Sequence, residues 1–268
     1  MYGYKSWRQY LDNRLAPLAH SSPPSLSMTE DAPMRIQKYL AQAGACSRRE
    51  AERLVAEGRV TVNGRPAEVG QPVTPGKDVV KVGRKVIGEI AKHVVLLMNK
   101  PRGYLCTNLD EFGGQTVFEL VPPPFNTQRL FCVGRLDKDS EGLLIITNDG
   151  ILANKIMHPS GGIVKRYEVT LNRAYDPLLT PKLLKGAKDE DELLRFTKVI
   201  QDPSVAERIE IHLNQGRKRE IRRLLEIFGF HVKVLRRFQV GGLVLRKMPP
   251  GDCRQLSQKE IASIFEVQ

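Results

Sequence analysis

Between Gly134 and Gly142 the chain places Arg135, Asp137, Asp139, Ser140 and Glu141 within seven residues. A carboxylate in such a loop can serve as base or nucleophile once something holds it still. Directly behind it run Leu143-Leu144-Ile145-Ile146-Thr147, apolar or β-branched residues that predict a strand buried on both faces. A rigid strand behind a charged loop is a common way to position reactive side chains. Taken alone, the same loop also suits a solvated turn, where Asp, Ser and Gly belong anyway. A second constellation, Asn214 to Arg223, holds five basic residues in ten: Arg217, Lys218, Arg219, Arg222 and Arg223. It leads into a helix with Ile221, Leu224, Leu225 and Phe228 as its apolar stripe and Gly229 as its stop. Arg222 borders that stripe, so it needs an anionic partner or must snorkel to solvent.

The whole chain supplies the context. Its 268 residues suit one large domain or two, with enough length for a real core. Against 30 acidic residues stand 42 Lys and Arg, a formal charge of +12. Such a balance points to nucleic acid first and an acidic membrane surface second. No apolar run approaches about 18 residues, so a spanning helix is excluded. A membrane-surface protein would also need a basic amphipathic helix with large apolar anchors, and the terminal helix near Ile264 is too weakly basic. Cys46, Cys106, Cys132 and Cys253 are scattered without a C-x-x-C pair. That argues against a zinc site or disulfide framework and fits a reducing cytosol. The histidines lack ligand spacing, so no metal is expected.

The elements that must hold these constellations follow in chain order. Residues 1–33, with Ser21, Ser22, Pro23, Pro24, Ser25 and Ser27, read as an unfolded extension, with Met28 or Met34 as alternative starts. No apolar segment supports a secretory signal, and Asp12 weakens a faint likeness to a transit peptide. From Met34, Ile36, Tyr39, Leu40 and Ala43 predict a helix ended by Gly44. Ser47-Arg48-Arg49-Glu50 reads as a capping box opening a second helix toward Gly58. Short strands follow to about Val82, with a hairpin signal at Asn63-Gly64. Residues 83–93 read as a linker, and a second domain spans 94–268. There, Val94 to Met98 predicts a buried strand, and Lys165 to Leu171 and Ile209 to Leu213 alternate as half-buried strands. Thr180-Pro181 predicts a capped helix start, and Val232 to Leu235 a strand followed by Arg236-Arg237. Ser257 to Glu260 forms a second capping box, before a helix that buries Ile261, Ile264 and Phe265.

The run S-R-R-E-A-E-R-L-V-A-E-G-R-V-T-V-N-G over 47–64 resembles the S4 RNA-binding module. That resemblance implies RNA-backbone contacts by Arg35, Arg48, Arg49 and Arg53; the residues alone are equally consistent with a solvated helix face. Combined with G-R-L-D-K-D-S-E-G-L-L-I-I-T-N-D-G, K-R-Y-E-V and G-R-K-R-E-I-R-R-L-L-E-I-F-G, it extends to a family. Residues 34–266 together resemble the RsuA/RluB-type ribosomal RNA pseudouridine synthases. The fold implied is α+β: a small S4-type domain, then a mixed, largely antiparallel sheet with flanking helices and a cleft across it. Asp137 matches the catalytic aspartate, which either attacks the sugar C1′ or abstracts a ribose proton. The resemblance further implies that Arg222 pairs with Asp137 and that Tyr167 stacks on the target base. Arg135 would fill the gap left by the flipped uridine, and Lys100, Arg102, Arg217, Lys218 and Arg219 would contact RNA backbone. Uridine and pseudouridine are isomers, so no cofactor is implied. The implied partner is ribosomal RNA, of the large subunit (23S) first, with small-subunit RNA and transfer RNA as alternatives. A cytoplasmic monomer with no membrane association is expected. A protein that binds RNA without catalysis is the rival reading; Asp137, Tyr167 and Arg222 at their motif positions argue against it.

Overall fold

The computed structural model describes residues 32–88, 90–108 and 113–266. Apart from residues 32 and 33, the expected N-terminal extension lies outside the described residues. The first unit opens with two helices, α1 (Ile36–Gln42) and α2 (Arg48–Ala56), which meet over a core of Ile36, Leu40, Ala51 and Val60. Ser47 caps α2 by accepting from the Glu50 amide at 3.1 Å. The other half of the predicted capping box is missing, because the Glu50 carboxylate takes hydrogen bonds from Arg53. Four strands complete the unit in the order β2-β1-β3-β4: β1 (Val60–Val62), β2 (Arg65–Pro66), β3 (Val80–Val82) and β4 (Lys85–Val86). Asn63 and Gly64 both take positive φ, 51° and 83°, as the tight β1–β2 turn demands. Because β4 pairs with β3 and Ile87 is buried in the same core, the linker is shorter than 83–93. Single valines in a basic stretch gave that small edge strand no periodicity to reveal it.

The second unit is built on a nine-stranded sheet. Its strands are β5 (Val95–Lys100), β6 (Phe131–Val133), β7 (Glu141–Thr147), β8 (Lys165–Leu171), β9 (Lys198–Gln201), β10 (Arg208–Leu213), β11 (Val232–Val240), β12 (Leu243–Val244) and β13 (Cys253–Gln255). The path is β9-β10-β8-β11-β7-β5-β13, with β12 beside β11 and β6 beside β7. Every pair is antiparallel except β11 with β7. Leu143 and Ile145 of β7 enter one core cluster and Leu144 and Ile146 another, as a strand buried on both faces must arrange.

The sheet forks at β7. On one side β5 pairs along it from Gly142 to Thr147. On the other, β11 takes Glu141 and Gly142, and β6 takes Ile145 to Thr147. The acidic loop joins β6 to β7, so it leaves and re-enters the sheet at this fork. The close approach of β7 to β11 requires Gly142: its φ is +104°, and a Cβ there would overlap the Arg237 carbonyl. Strand β11 runs on to Val240, well past the predicted end at Leu235. Arg236 and Arg237 read as a strand end in sequence, yet Arg237 is only 3% exposed and its Nε donates to the Leu143 carbonyl at 2.8 Å. That carbonyl faces the gap between β6 and β11, and the guanidinium fills it. A register shift between Arg166 and Tyr167 leaves Phe238 as a bulge in β11.

The remaining helices are α3 (Gly150–Met157), α4 (Thr180–Lys185), α5 (Glu220–Ile227) and α6 (Gln258–Ser263). Asp149 caps α3 by accepting from Ile151 and Leu152. Thr180 is not a cap: it is already helical, and its hydroxyl pairs with the Tyr175 hydroxyl at 2.7 Å. The capping box of Ser257 and Glu260 opens α6. Ile264 after it is buried, whereas Phe265 is 43% exposed, contrary to expectation, because the chain leaves helical periodicity there. Among the described residues, no helix is long and apolar enough to cross a membrane, and no group of His, Cys, Asp or Glu could hold a metal.

Candidate active site

The backbone of the acidic loop is held at each of four successive carbonyls. Asp137 O accepts from the Ser140 amide at 3.0 Å, closing a tight turn. Lys138 O accepts from the Gly103 amide at 2.7 Å, and the Lys100 ammonium lies 3.5 Å away. Asp139 O lies 3.4 Å from Arg222 Nη2. Ser140 O takes Lys100 Nζ at 2.7 Å. Ahead of them, the Leu136 amide donates to Cys106 Sγ at 3.5 Å. Leu136 itself packs into the core cluster that also holds Tyr167 of β8 and Ile221 of α5. Loop, strand and helix therefore meet at one place, and a loop so tied presents its side chains without having to search for a conformation.

The Asp137 carboxylate is 35% exposed and faces Arg219 Nη1 at 3.7 Å. Arg219 also reaches Asp139 at 3.6 Å. The expected pairing of Arg222 with Asp137 is replaced: Arg222 Nη2 meets the Asp139 carboxylate at 3.0 Å, while Nη1 donates to the Val232 carbonyl at 2.9 Å. Burial pulls the Arg222 pKa down, and Asp139 is the nearest charge that offsets this; its Nε is buried without a partner. Sequence spacing placed a cation beside the stripe correctly but could not decide which of two aspartates it meets. Arg219 arrives at the site through strained backbone. It sits at the start of α5 with φ 50°, the left-handed region that costs an ordinary residue about 1–2 kcal/mol. Glu220 behind it is buried and holds the loop, accepting from Gln215 Nε2 at 2.5 Å and the Arg217 amide at 3.1 Å. Burial raises the Glu220 pKa more than those donors lower it.

Lys100 requires a correction. It was expected to contact RNA backbone, yet it is fully buried, and its ammonium sits on the carbonyls of Pro101, Lys138 and Ser140. Being the last residue of β5, it turns inward under the acidic loop instead of outward. Burial lowers its pKa, and Cys106 is the largest influence in the other direction. The other cations remain at the surface. Arg102, Arg135, Lys218 and Arg219 are exposed around the site, and Arg35, Arg48, Arg49 and Arg53 are exposed on the first unit. Arg217 is half-buried, 3.9 Å from Glu192. Arg223 is held by Asp189 and Glu192. Sequence reasoning missed Asp139, Glu220 and Arg237; of these, only Asp139 carried a signal, its place two residues beyond Asp137.

Residues 34–79 match the S4 domain, and residues 94–226 match the RNA pseudouridylate synthase family. The class is thus an RNA-binding module joined to an RNA-modifying enzyme domain. An uncharacterized RNA pseudouridine synthase of Aquifex aeolicus (strain VF5) is 38% identical over 238 residues, 87% of this chain and 94% of that protein. The dual-specificity RNA pseudouridine synthase RluF of Escherichia coli (strain K12) is 35% identical, covering 90% and 81% of the two chains. Ribosomal large subunit pseudouridine synthase B of Vibrio cholerae serotype O1 is 36% identical, covering 87% and 74%. A pseudouridylate synthase crystal structure superposes with a TM-score of 0.62 at 24% identity, over 86% of this chain and 99% of that one, and supports the fold. This chain belongs to the RNA pseudouridylate synthase family and is an RNA pseudouridine synthase of the RluF/RluB type.

Proposed function

We propose that the protein converts a uridine of large-subunit ribosomal RNA to pseudouridine, with Asp137 as the catalytic carboxylate. The observation that carries this reading is the pinned loop: four carbonyls are fixed by Ser140, Gly103, Lys100 and Arg222, while the Asp137 carboxylate stays open to an incoming nucleotide. Held beside Arg219, it is kept as an anion that either attacks the ribose C1′ or removes a ribose proton. Arg222 acts one step back, fixing Asp139 and through it the turn. Tyr167, at the wall shared by β8 and the loop, supplies the surface on which the flipped base rests. Arg135 takes the space that the base vacates. Exposed Arg102, Lys218 and Arg219 grip the backbone near the site, and Arg35, Arg48, Arg49 and Arg53 grip it at a distance. Large-subunit RNA is favoured because a relative named for that subunit aligns along most of this chain.

The test is pseudouridine mapping, by chemical labelling and primer extension, on unmodified large-subunit, small-subunit and transfer RNA transcripts. A new stop on large-subunit RNA is expected, and Asp137→Asn should weaken it at least about 100-fold. A stop that survives the substitution would remove Asp137 from the chemistry. A stop only on transfer or small-subunit RNA would move the substrate.

A further inference from the structure

Two of the four cysteines lie against the pinned loop. Cys106 follows the turn that ends β5, and Cys132 lies in β6, which leads into the loop. Their thiols hydrogen-bond to one another, and both residues are half-buried, within reach of a small oxidant. Cys106 Sγ also accepts from the Leu136 amide, one residue before Asp137. Two buried cations, Lys100 and Arg237, act on both sulfurs. A sulfur with a second thiol, an amide donor and two cations around it is built to carry negative charge.

We propose that Cys106 and Cys132 form an oxidation site for hydroperoxides, and that its disulfide loosens the loop carrying Asp137. The Cys106 thiolate attacks a peroxide oxygen, the O–O bond breaks, and Cys106 becomes a sulfenic acid. Cys132 then attacks that sulfur and gives up its proton, the S–O bond breaks, and water leaves as the disulfide forms. Two thiols are oxidised and one hydrogen peroxide is reduced to two waters; a dithiol reverses the change. In the disulfide, Lys100 and the Leu136 amide both lose a charged acceptor. The environments agree with this division of labour. Cys132 holds the Cys106 thiol down to about 6, while Cys132 itself is raised as the proton-bearing partner. Cys46 and Cys253 are pushed up by burial, Cys253 to about 11, and serve as internal controls.

The experiment treats the full chain, wild type and Cys132→Ser, with graded hydrogen peroxide and maps every cysteine by mass spectrometry. Wild type should lose two hydrogens as a single Cys106–Cys132 disulfide, with Cys46 and Cys253 still alkylated. Cys132→Ser should keep its basal rate and stop at a sulfenic acid on Cys106 that dimedone captures. Hydrogen exchange at the Leu136 amide should quicken in the disulfide form and recover with dithiothreitol, a readout independent of which RNA is the substrate. On the RNA that proves to be modified, turnover should fall about 10- to 100-fold and recover with the same reductant. Alkylation of Cys106 should titrate with a midpoint near about 6. Indiscriminate oxidation of all four cysteines would overturn the site. A disulfide that leaves Leu136 exchange and turnover unchanged would overturn its link to the loop.

Discussion

Arg53, on the outer face of α2, shares its guanidinium between Glu50 at 2.6 Å and Glu57 at 2.8 Å, and its side chain stays 58% exposed. Lys100, at the end of β5, is wholly buried with its ammonium on three backbone carbonyls. Both are cations of a basic RNA-directed protein, yet they serve opposite ends. The first unit keeps its charges at the surface, where they can be exchanged for phosphate and where salt weakens them. The second unit puts Lys100 and Arg237 inside, where they set the backbone around one carboxylate. Surface charge gives affinity; interior charge gives geometry.

The comparison would break most visibly at a glycine. Gly142→Ala drives a Cβ into the Arg237 backbone at the fork, and the left-handed strain adds to it. A loss of at least about 3 kcal/mol is expected, read as a fall in Tm with turnover lost in parallel. Gly64→Ala, in the open β1–β2 turn with nothing near its Cβ, should cost only about 1 kcal/mol. Equal losses at the two positions would mean that the fork is not tight.

Lys100→Met is the next largest. Removing the ammonium leaves the Ser140 carbonyl buried without its donor, worth about 1–3 kcal/mol of stability. Because the loop then loses a fixed point, kcat should fall about 10- to 100-fold while the Kd for RNA stays unchanged. If Kd weakened instead and the salt slope dropped by about one, Lys100 would be a phosphate contact after all.

Lys100 also marks the limit of what the sequence could say. The run after Gly142 announced a doubly buried strand, and β7 is one, because uninterrupted apolar residues leave no other choice. The loop before it was legible for the same reason: its polar residues could not join that strand. What could not be read was direction. A lysine after four buried positions looks like the point where a strand surfaces, and only the carbonyls gathered beneath the loop make burial favourable. Arg237 was hidden likewise, since its partner is a main-chain oxygen 94 residues away. The exchange of Asp139 for Asp137 as the partner of Arg222 is a difference of two residues inside one turn, below the resolution of any periodicity. Residues whose partners are backbone atoms leave no pattern in sequence.

On the first unit the comparison can be sharpened with two arginines of one helix. Arg49→Ala should weaken RNA binding and lower the salt slope by about one, with kcat untouched. Arg53→Ala should do less, because its guanidinium already holds two carboxylates that RNA would have to displace. Kd measured at two salt concentrations separates them; equal slopes would mean that those ion pairs give way freely.

The smallest effect belongs to the seam between the units. His93 Nδ1 lies 3.2 Å from the Asp149 carboxylate, which also caps α3. That hydrogen bond raises the His93 pKa above its ordinary value, despite partial burial, and Asp149 is lowered in turn. For His93 the sign is fixed: its stabilisation is complete below the unfolded value of about 6.5 and fades as pH rises through the higher folded value. For Asp149 it is opposite, present at neutral pH and lost in acid as pH falls through its depressed value. Between about pH 6 and pH 8, therefore, only His93 should tilt the stability. With a side chain 46% exposed, the pair is solvent-screened, and the tilt should be about 2 °C in Tm or less. His93→Gln should remove the tilt while leaving the Asp149 cap in place. A tilt that persists in His93→Gln would assign it to another group, and the seam would then owe its hold to packing alone.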